Sequence, residues 1–319
     1  MAYSEQVLRR ARLRLEQAKA ERERENDQRR LDAYRRFPRL EEIDRELRKT
    51  MAKIMQNALR AGEDAQKALE AIRDHNLALQ AERQWILDAE DLDYEMPLCS
   101  QCGGSGYAGS QMCECLQELC RQEQKRELTS LLGNGRESFE SFRLDYYPDL
   151  VDVNLGVSPR RLMQSNFNIC RKYAYEFDRT AGNLLFSGAT GLGKTFLSAC
   201  IARAVSDRGH SVVYESAIRM FHDFEDEKFK NSQDGVGSRK YLDCDLLIID
   251  DLGTELTTQF TISTLYYIVN SRLMDNRATI ISTNLMPEAL EKRYSPQIAS
   301  RVVGSYRLIK FVGEDIRRR

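Results

Sequence analysis

Three groups of residues have the types and spacing to do chemistry. Gly188-Ala189-Thr190-Gly191-Leu192-Gly193-Lys194-Thr195 fits the pattern G-x-x-x-x-G-K-[ST] at every required position. In such a loop the glycines let backbone N–H groups turn inward around phosphate oxygens, and the helix that follows adds a favourable dipole for anions. Lys194 would reach the β- and γ-phosphates of a nucleotide such as ATP, and Thr195 would ligate Mg²⁺; the loop through Phe196 is the expected nucleotide-binding segment. The second group is Leu246-Leu247-Ile248-Ile249-Asp250-Asp251, an apolar run ending in two acids. Asp250 is the natural Mg²⁺ partner, usually through water, and Asp251 can polarise an attacking water. The third is Cys99-x2-Cys102 followed by Cys113-x-Cys115, with Gly103, Gly104, Gly106 and Gly109 between them. Four thiols in two short knuckles suit a tetrahedral Zn²⁺ with a closed shell, hence a structural site.

Each group has a plainer explanation. The P-loop pattern occurs by chance in loops, two acids can end a strand in solvent, and four cysteines can form disulfides or a redox pair. The surrounding elements argue otherwise. Leu184–Phe186 reads as a strand before the loop and Phe196–Val205 as a helix after it. Residues 246–251 read as a strand buried on both faces of a parallel sheet, whose carboxyl end is where an open α/β sheet places its ligands. A further strand, 278–284, ends in Asn284, whose amide offers donors and an acceptor to a phosphate or water; on spacing alone a turn role explains it better. Val212–Tyr214 reads as a strand and Ala217 as the start of a helix, and the polar, Gly-containing stretch 231–238 as a mobile loop. Ser158-Pro159 predicts a helix start, with Ser as N-cap and Pro in the first turn, running to about Phe177. Gly133-Asn134-Gly135 marks a turn. Cys120 is a spare ligand candidate, whereas Cys170, Cys200 and Cys244 sit in apolar surroundings and read as buried thiols.

The first 95 or so residues differ. Ser4 to Arg36 alternates Arg, Glu, Lys and Gln around sparse apolar positions (Val7, Leu8, Ala11, Leu15, Ala18), which predicts an exposed, ion-paired helix or coiled-coil strand. Pro38 should break it. A second helix from near Glu41 carries the stripe Ile43, Leu47, Met51, Ile54, Met55, Leu59; Gly62 marks a turn; a third spans 64–90 with Ala68, Leu69, Ile72, Leu77, Leu79, Trp85, Ile86 and Leu87. These helices would either cover their own stripe or form a partner-binding arm. With 48 basic and 49 acidic residues, no global field draws the chain to nucleic acid, so any such contact needs a local surface. No apolar run spans a bilayer and no apolar signal core opens the chain, so a cytoplasmic protein without membrane association is expected. Three histidines and no extra acid cluster disfavour a metal-dependent nuclease or kinase.

The order P-loop, Leu-Ile-Ile-Asp-Asp-Leu-Gly-Thr-Glu (247–255), then Ile-Ser-Thr-Asn-Leu (281–285) resembles an AAA+ ATPase, and more narrowly the DnaC/DnaI replicative helicase loaders and the related IstB transposition ATPases. Thr258–Thr261, Leu265–Arg272, Ile298–Arg301 and Gly313–Arg317 share the likeness, which runs from about Phe139 onward. The resemblance implies an α/β AAA+ P-loop core, a parallel sheet flanked by helices without the usual C-terminal helical lid, since the chain stops just after Arg317. It implies a sensor-1 role for Asn284, an arginine finger at Arg301 that completes a neighbouring subunit's site, and a sensor-2-like Arg317. The Cys-Ser-Gln-Cys-Gly-Gly-Ser-Gly run (99–106) is similar to half of a DnaJ-type zinc module and to the metal-binding segment of DnaI-type loaders. Expected domains are a helical, partner-binding region (1–96), a zinc module (97–120), a linker (121–137) and the ATPase (138–319). The implied partners are a replicative helicase, single-stranded DNA and further copies of the chain in a ring or spiral. Lys228, Lys230, Arg239 and Lys240 would meet the DNA backbone and Phe229 a base, although a solvated face explains the same residues. An IstB-like regulator of transposition and a non-hydrolysing nucleotide-gated adaptor are the alternatives, the latter opposed by intact Lys194, Thr195, Asp250 and Asp251.

Overall fold

The computed structural model describes residues 3–58, 63–131, 137–153, 156–229 and 236–318. The turns expected at Gly62 and Gly133–Gly135, Lys230, Leu59 and residues 231–235 of the expected loop lie outside them, as do the side chains of Met51, Ile54, Met55, Ala68, Leu69 and Phe229. The chain divides into two compact units, one of Leu13–Cys115 and one of Met1–Arg12 with Leu116–Arg319.

The first unit holds most of α1 (Glu5–Arg36), then α2 (Pro38–Ala58), α3 (Glu63–Ala89) and a hairpin of β1 (Tyr107–Ala108) and β2 (Gln111–Met112). Pro38 ends one helix and opens the next, so α2 begins three residues before the expected start near Glu41; a proline in the first turn forfeits no helical hydrogen bond. Ala33, Leu40 and Tyr94 are buried against Phe37, Ile86 and Leu87. At their border Asp44 accepts hydrogen bonds from Tyr34 Oη (2.6 Å), Arg83 Nε (2.9 Å) and Tyr94 Oη (3.2 Å), tying α1, α2, α3 and the segment after α3. Trp85 of α3, expected on the apolar stripe, is 71% exposed.

The second unit contains the start of α1, α4 (Glu114–Leu131), α5 (Pro159–Tyr175), β3 (Asn183–Ser187), α6 (Lys194–Asp207), β4 (Val212–Ser216), α7 (Ala217–Phe229), α8 (Val236–Asp243), β5 (Leu246–Leu252), α9 (Gln259–Met274), β6 (Ala278–Thr283), α10 (Pro287–Arg293), α11 (Pro296–Ser305) and β7 (Tyr306–Lys310). The sheet is parallel, in the order β4-β5-β6-β3-β7. Alternation along the strands builds two cores. Leu184, Phe186, Leu246 and Ile248 face Met163 of α5 and Leu197, Ile201 and Val205 of α6. Leu185, Leu247, Ile249 and Ile281 face Met220, Leu265, Ile268 and Val302 on the other side. Ser158 caps α5 through the Arg161 amide with Pro159 in the first turn, and the helix ends at Tyr175, two residues short of Phe177.

Two expectations change. Val7 and Ala11, read as sparse apolar positions on an exposed helix, are buried. Residues 121–131, read as linker, are helical within α4, and Gln124 there donates to Ser206 Oγ (2.6 Å) and the His210 carbonyl (2.9 Å) and accepts from the Val212 amide (3.0 Å).

Arg272 of α9 is 1% exposed and meets main-chain oxygens and one hydroxyl: Nη1 donates to the carbonyls of Tyr241 (2.9 Å), Leu242 (3.1 Å) and Cys244 (3.1 Å), Nη2 to that of Ala278 (2.6 Å), and Nε to Thr279 Oγ1 (2.9 Å). Its fork therefore joins the end of α8 to the starts of β5 and β6.

Candidate functional site

The P-loop joins β3 to α6 at the carboxyl end of the sheet, where the pairing Ser187 with Thr283 and Ser216 with Asp250 brings the ends of β3, β6, β4 and β5 together. The backbone requires its glycines. Gly191 and Gly193 have φ of 75° and 86°, and a Cβ on them would come within 1.9 Å of Asp315 Oδ1 and 2.8 Å of Tyr147 Oη. Tyr147 is buried and donates to the Leu192 carbonyl (2.9 Å), and the Ile316 amide donates to the Gly191 carbonyl (2.9 Å), so the loop is braced on two sides.

Lys194, in the first turn of α6, is buried, and its Nζ donates to the carbonyls of Gly188 (2.8 Å) and Ala189 (2.7 Å). Burial lowers its pKa, opposed by Asp251 and Asp250 and reinforced by Arg317. Thr195 is exposed beside it. Asp250 is buried; Oδ2 accepts from Tyr214 Oη (2.7 Å) and Oδ1 from Ser282 Oγ. Asp251 follows in a β-bulge with φ of 53°, its amide bonded to Ser282 Oγ (3.0 Å). Burial and Asp250 push its carboxyl upward, while Lys194 and Arg317 pull it down. Lys194, Asp250, Asp251 and Arg317 thus share one electrostatic neighbourhood. Burial together with Asp250 holds the Tyr214 phenol well above its usual range, so it remains a donor.

Asn284 is exposed at the end of β6, its Oδ1 lying 3.4 Å from where a Cβ on Gly253 would stand, beside the turn that follows the acids. Glu255 closes that turn by accepting from the Gly253 amide (2.9 Å) and Tyr294 Oη. Arg301 is directed elsewhere: its guanidinium lies 4.7 Å over the Tyr266 ring and donates to Asn270 Oδ1 (3.0 Å). Among the suggested DNA contacts, Lys240 is paired with Asp223 (2.7 Å) and Lys228 stands over the Phe260 ring (5.2 Å). The sequence reading gave no role to Tyr147, Tyr214, Ser198, Ser282 or Asp315, although Ser282 and Asp315 fall within short segments that the family likeness singles out.

The four thiols of Cys99, Cys102, Cys113 and Cys115 lie within 4.8 Å of one another, with Cys99–Cys113 at 3.8 Å and Cys102–Cys115 at 3.4 Å. Tetrahedral Zn–S bonds of about 2.3 Å set S···S at about 3.8 Å, so this donor set fits zinc, and these separations exceed a disulfide's. Gly103, Gly104, Gly106 and Gly109 all have positive φ, and the Gly106 amide donates to Cys102 Sγ (3.3 Å). Cys120 is not in the group: it belongs to the other unit, where burial pushes its thiol up to about 11. Cys170, Cys200 and Cys244 are buried, as expected.

Known proteins share parts of this sequence and fold. Residues 167–300 match the IstB-like ATP binding protein family. The replicative helicase loader DnaC of Escherichia coli is 29% identical over 136 residues, 41% of this chain and 54% of that protein. The chromosomal replication initiator protein DnaA of Campylobacter jejuni is 31% identical over 114 residues, 36% of this chain and 26% of that protein. A crystal structure of the DnaC helicase loader superposes with a TM-score of 0.46 at 20% identity, covering 55% of this chain and 98% of that one. The match spans about half the length of the loader and about a quarter of the initiator. The region with the P-loop, the acids and Asn284 is an IstB/DnaC-type ATP-binding domain.

Proposed function

We propose that the chain is an ATP-hydrolysing loader of a replicative DNA helicase. The observation that carries the nucleotide part is the P-loop turn between β3 and α6, with Lys194 buried in it, Asp250 and Asp251 at the carboxyl end of the same sheet, and Arg317 next to Ile316, whose amide donates to the Gly191 carbonyl. With ATP bound, Lys194 exchanges the two loop carbonyls for phosphate oxygens and the loop amides cradle the phosphates. Thr195 and Asp250 would hold Mg²⁺, which would supply neutralisation of phosphate charge. Asp251 orients and polarises the attacking water, Asn284 contacts that water or the γ-phosphate, and Arg317 supports the phosphate charge. The zinc module is structural. Helicase loading, single-stranded DNA binding and a cytoplasmic setting belong to this reading, and the likeness to the replicative helicase loader DnaC supports its loading part.

Arg301 acts on a neighbouring subunit. Support comes from its place on α11, where its guanidinium lies over the Tyr266 ring and donates to Asn270 Oδ1, and from the exposure of nearby positions on the same two helices, Tyr267 (51%) and Val303 (54%). ATPase rate measured against protein concentration, with and without single-stranded DNA, should rise with assembly, and Arg301→Ala should cut it about 10³-fold. A flat rate untouched by the mutation would sink the shared-site mechanism. An IstB-like regulator of transposition is the second reading, favoured by the family model; selective binding of duplex over single-stranded DNA, with no capture of helicase, would decide for it.

Purified protein should carry about one zinc per chain. Cys99→Ser with Cys113→Ser should remove it and loosen residues 99–115 while ATP affinity stays within about twofold. Full metal-independent protection of that hairpin in hydrogen exchange would refute the assignment.

A further inference from the structure

Behind Asp250 runs a line of buried hydroxyls that the P-loop and acid motifs do not include. Tyr214 of β4 donates to Asp250 Oδ2 at 2.7 Å. Ser198 of α6 lies 3.2 Å from Tyr214 Oη and 3.0 Å from the Thr195 carbonyl. Ser198 is fully buried and Tyr214 nearly so. A phenylalanine would fill the same space without burying a hydroxyl, so the Tyr214 O–H is retained with its full desolvation cost and directed at one acceptor.

Counting protons shows what the line can do. The Tyr214 proton is committed to Asp250. Ser198 has one proton and two acceptors within reach, the Thr195 carbonyl and Tyr214 Oη. Donated to Tyr214, it polarises the phenol and strengthens its hydrogen bond to the carboxylate; donated to the Thr195 carbonyl, it leaves Tyr214 without that support. Ser282 fills one position on the other carboxylate oxygen, so two of the roughly four acceptor positions of Asp250 are fixed by hydroxyls and its orientation is set from behind.

We propose that Tyr214 is a positioning residue for the metal-binding carboxylate Asp250, and that Ser198 couples it to the backbone of Thr195 in the P-loop helix. The two groups expected to serve Mg²⁺, from β5 and α6, are thereby linked through protein before any ligand binds. This rests on reading the site as one for Mg²⁺ and ATP.

The test is the affinity of a fluorescent ATP analogue, measured in EDTA and then along a Mg²⁺ titration, for wild type, Tyr214→Phe, Ser198→Ala and the double variant. In EDTA all four should bind within about twofold of one another. The Mg²⁺ concentration that gives half of the metal-dependent change should rise about tenfold in Tyr214→Phe. It should rise less in Ser198→Ala, and the double variant should be no worse than Tyr214→Phe, because Ser198 acts through the phenol. An unshifted Mg²⁺ midpoint in Tyr214→Phe, or an equal loss of affinity in EDTA, overturns the proposal while leaving the nucleotide reading intact. If Tyr214→Phe does not fold, Ser198→Ala decides by the same criterion. Wild type that binds no nucleotide under either condition overturns the nucleotide reading and the proposal with it.

Discussion

Asparagine at position 251 is expected to lower ATP turnover by 10²- to 10⁴-fold, roughly the contribution of a positioned general base, while nucleotide affinity changes by no more than about threefold. The substitution isolates the chemistry. Asp251 sits at φ 53°, a conformation asparagine adopts as readily, and its backbone amide would keep its bond to Ser282 Oγ. The bulge therefore survives and only the negative charge and proton-accepting capacity are lost. Steady-state hydrolysis beside an equilibrium binding titration separates the outcomes. Turnover within tenfold of wild type would remove Asp251 from the chemical step; a matching loss of affinity would make it a binding residue.

Arg272→Met is expected to destabilise the second unit by about 3–5 kcal/mol, the range for breaking a buried charged network. Methionine fills much of the volume but donates nothing, so the carbonyls of Tyr241, Leu242, Cys244 and Ala278 lose their partner in a site closed to water. Lysine should fare nearly as badly, because a single ammonium cannot serve the spread of acceptors met by three guanidinium nitrogens. Denaturant unfolding of the chain measures this directly. A loss below about 1 kcal/mol would mean that the carbonyls find other donors.

The sheet and the nucleotide loop were legible because their signals are local. Continuous apolar runs mark strands covered on both faces, and the glycines of 188–193 occupy a pattern that few other functions require. Ser158-Pro159 was readable for the same reason, since a helix cap is settled within four residues. Tyr214 and Ser198 were not: their role exists only once β4, β5 and α6 are side by side, and each alone looks like an ordinary core residue. Val7 and Ala11 were misjudged because burial depends on what another part of the chain brings to them. Residues 121–131 were misread because a polar sequence hides the inward side chain of Gln124. Arg272 lay inside a segment recognised by resemblance, yet nothing in its sequence distinguishes a buried guanidinium from a solvated one.

Gln124 also bears on how copies of this protein can associate. β4 is an outermost strand, and such strands offer unpaired amides to any passing chain. Here the Val212 amide is taken by Gln124 and the Ser216 amide by Glu215, while β7 at the opposite margin carries Arg307 and Lys310. The sheet is thus blunted at both margins against recruiting a sixth strand from a neighbour. Any self-association would therefore have to use helix faces and loops, while the irreversible route of strand-to-strand growth is suppressed.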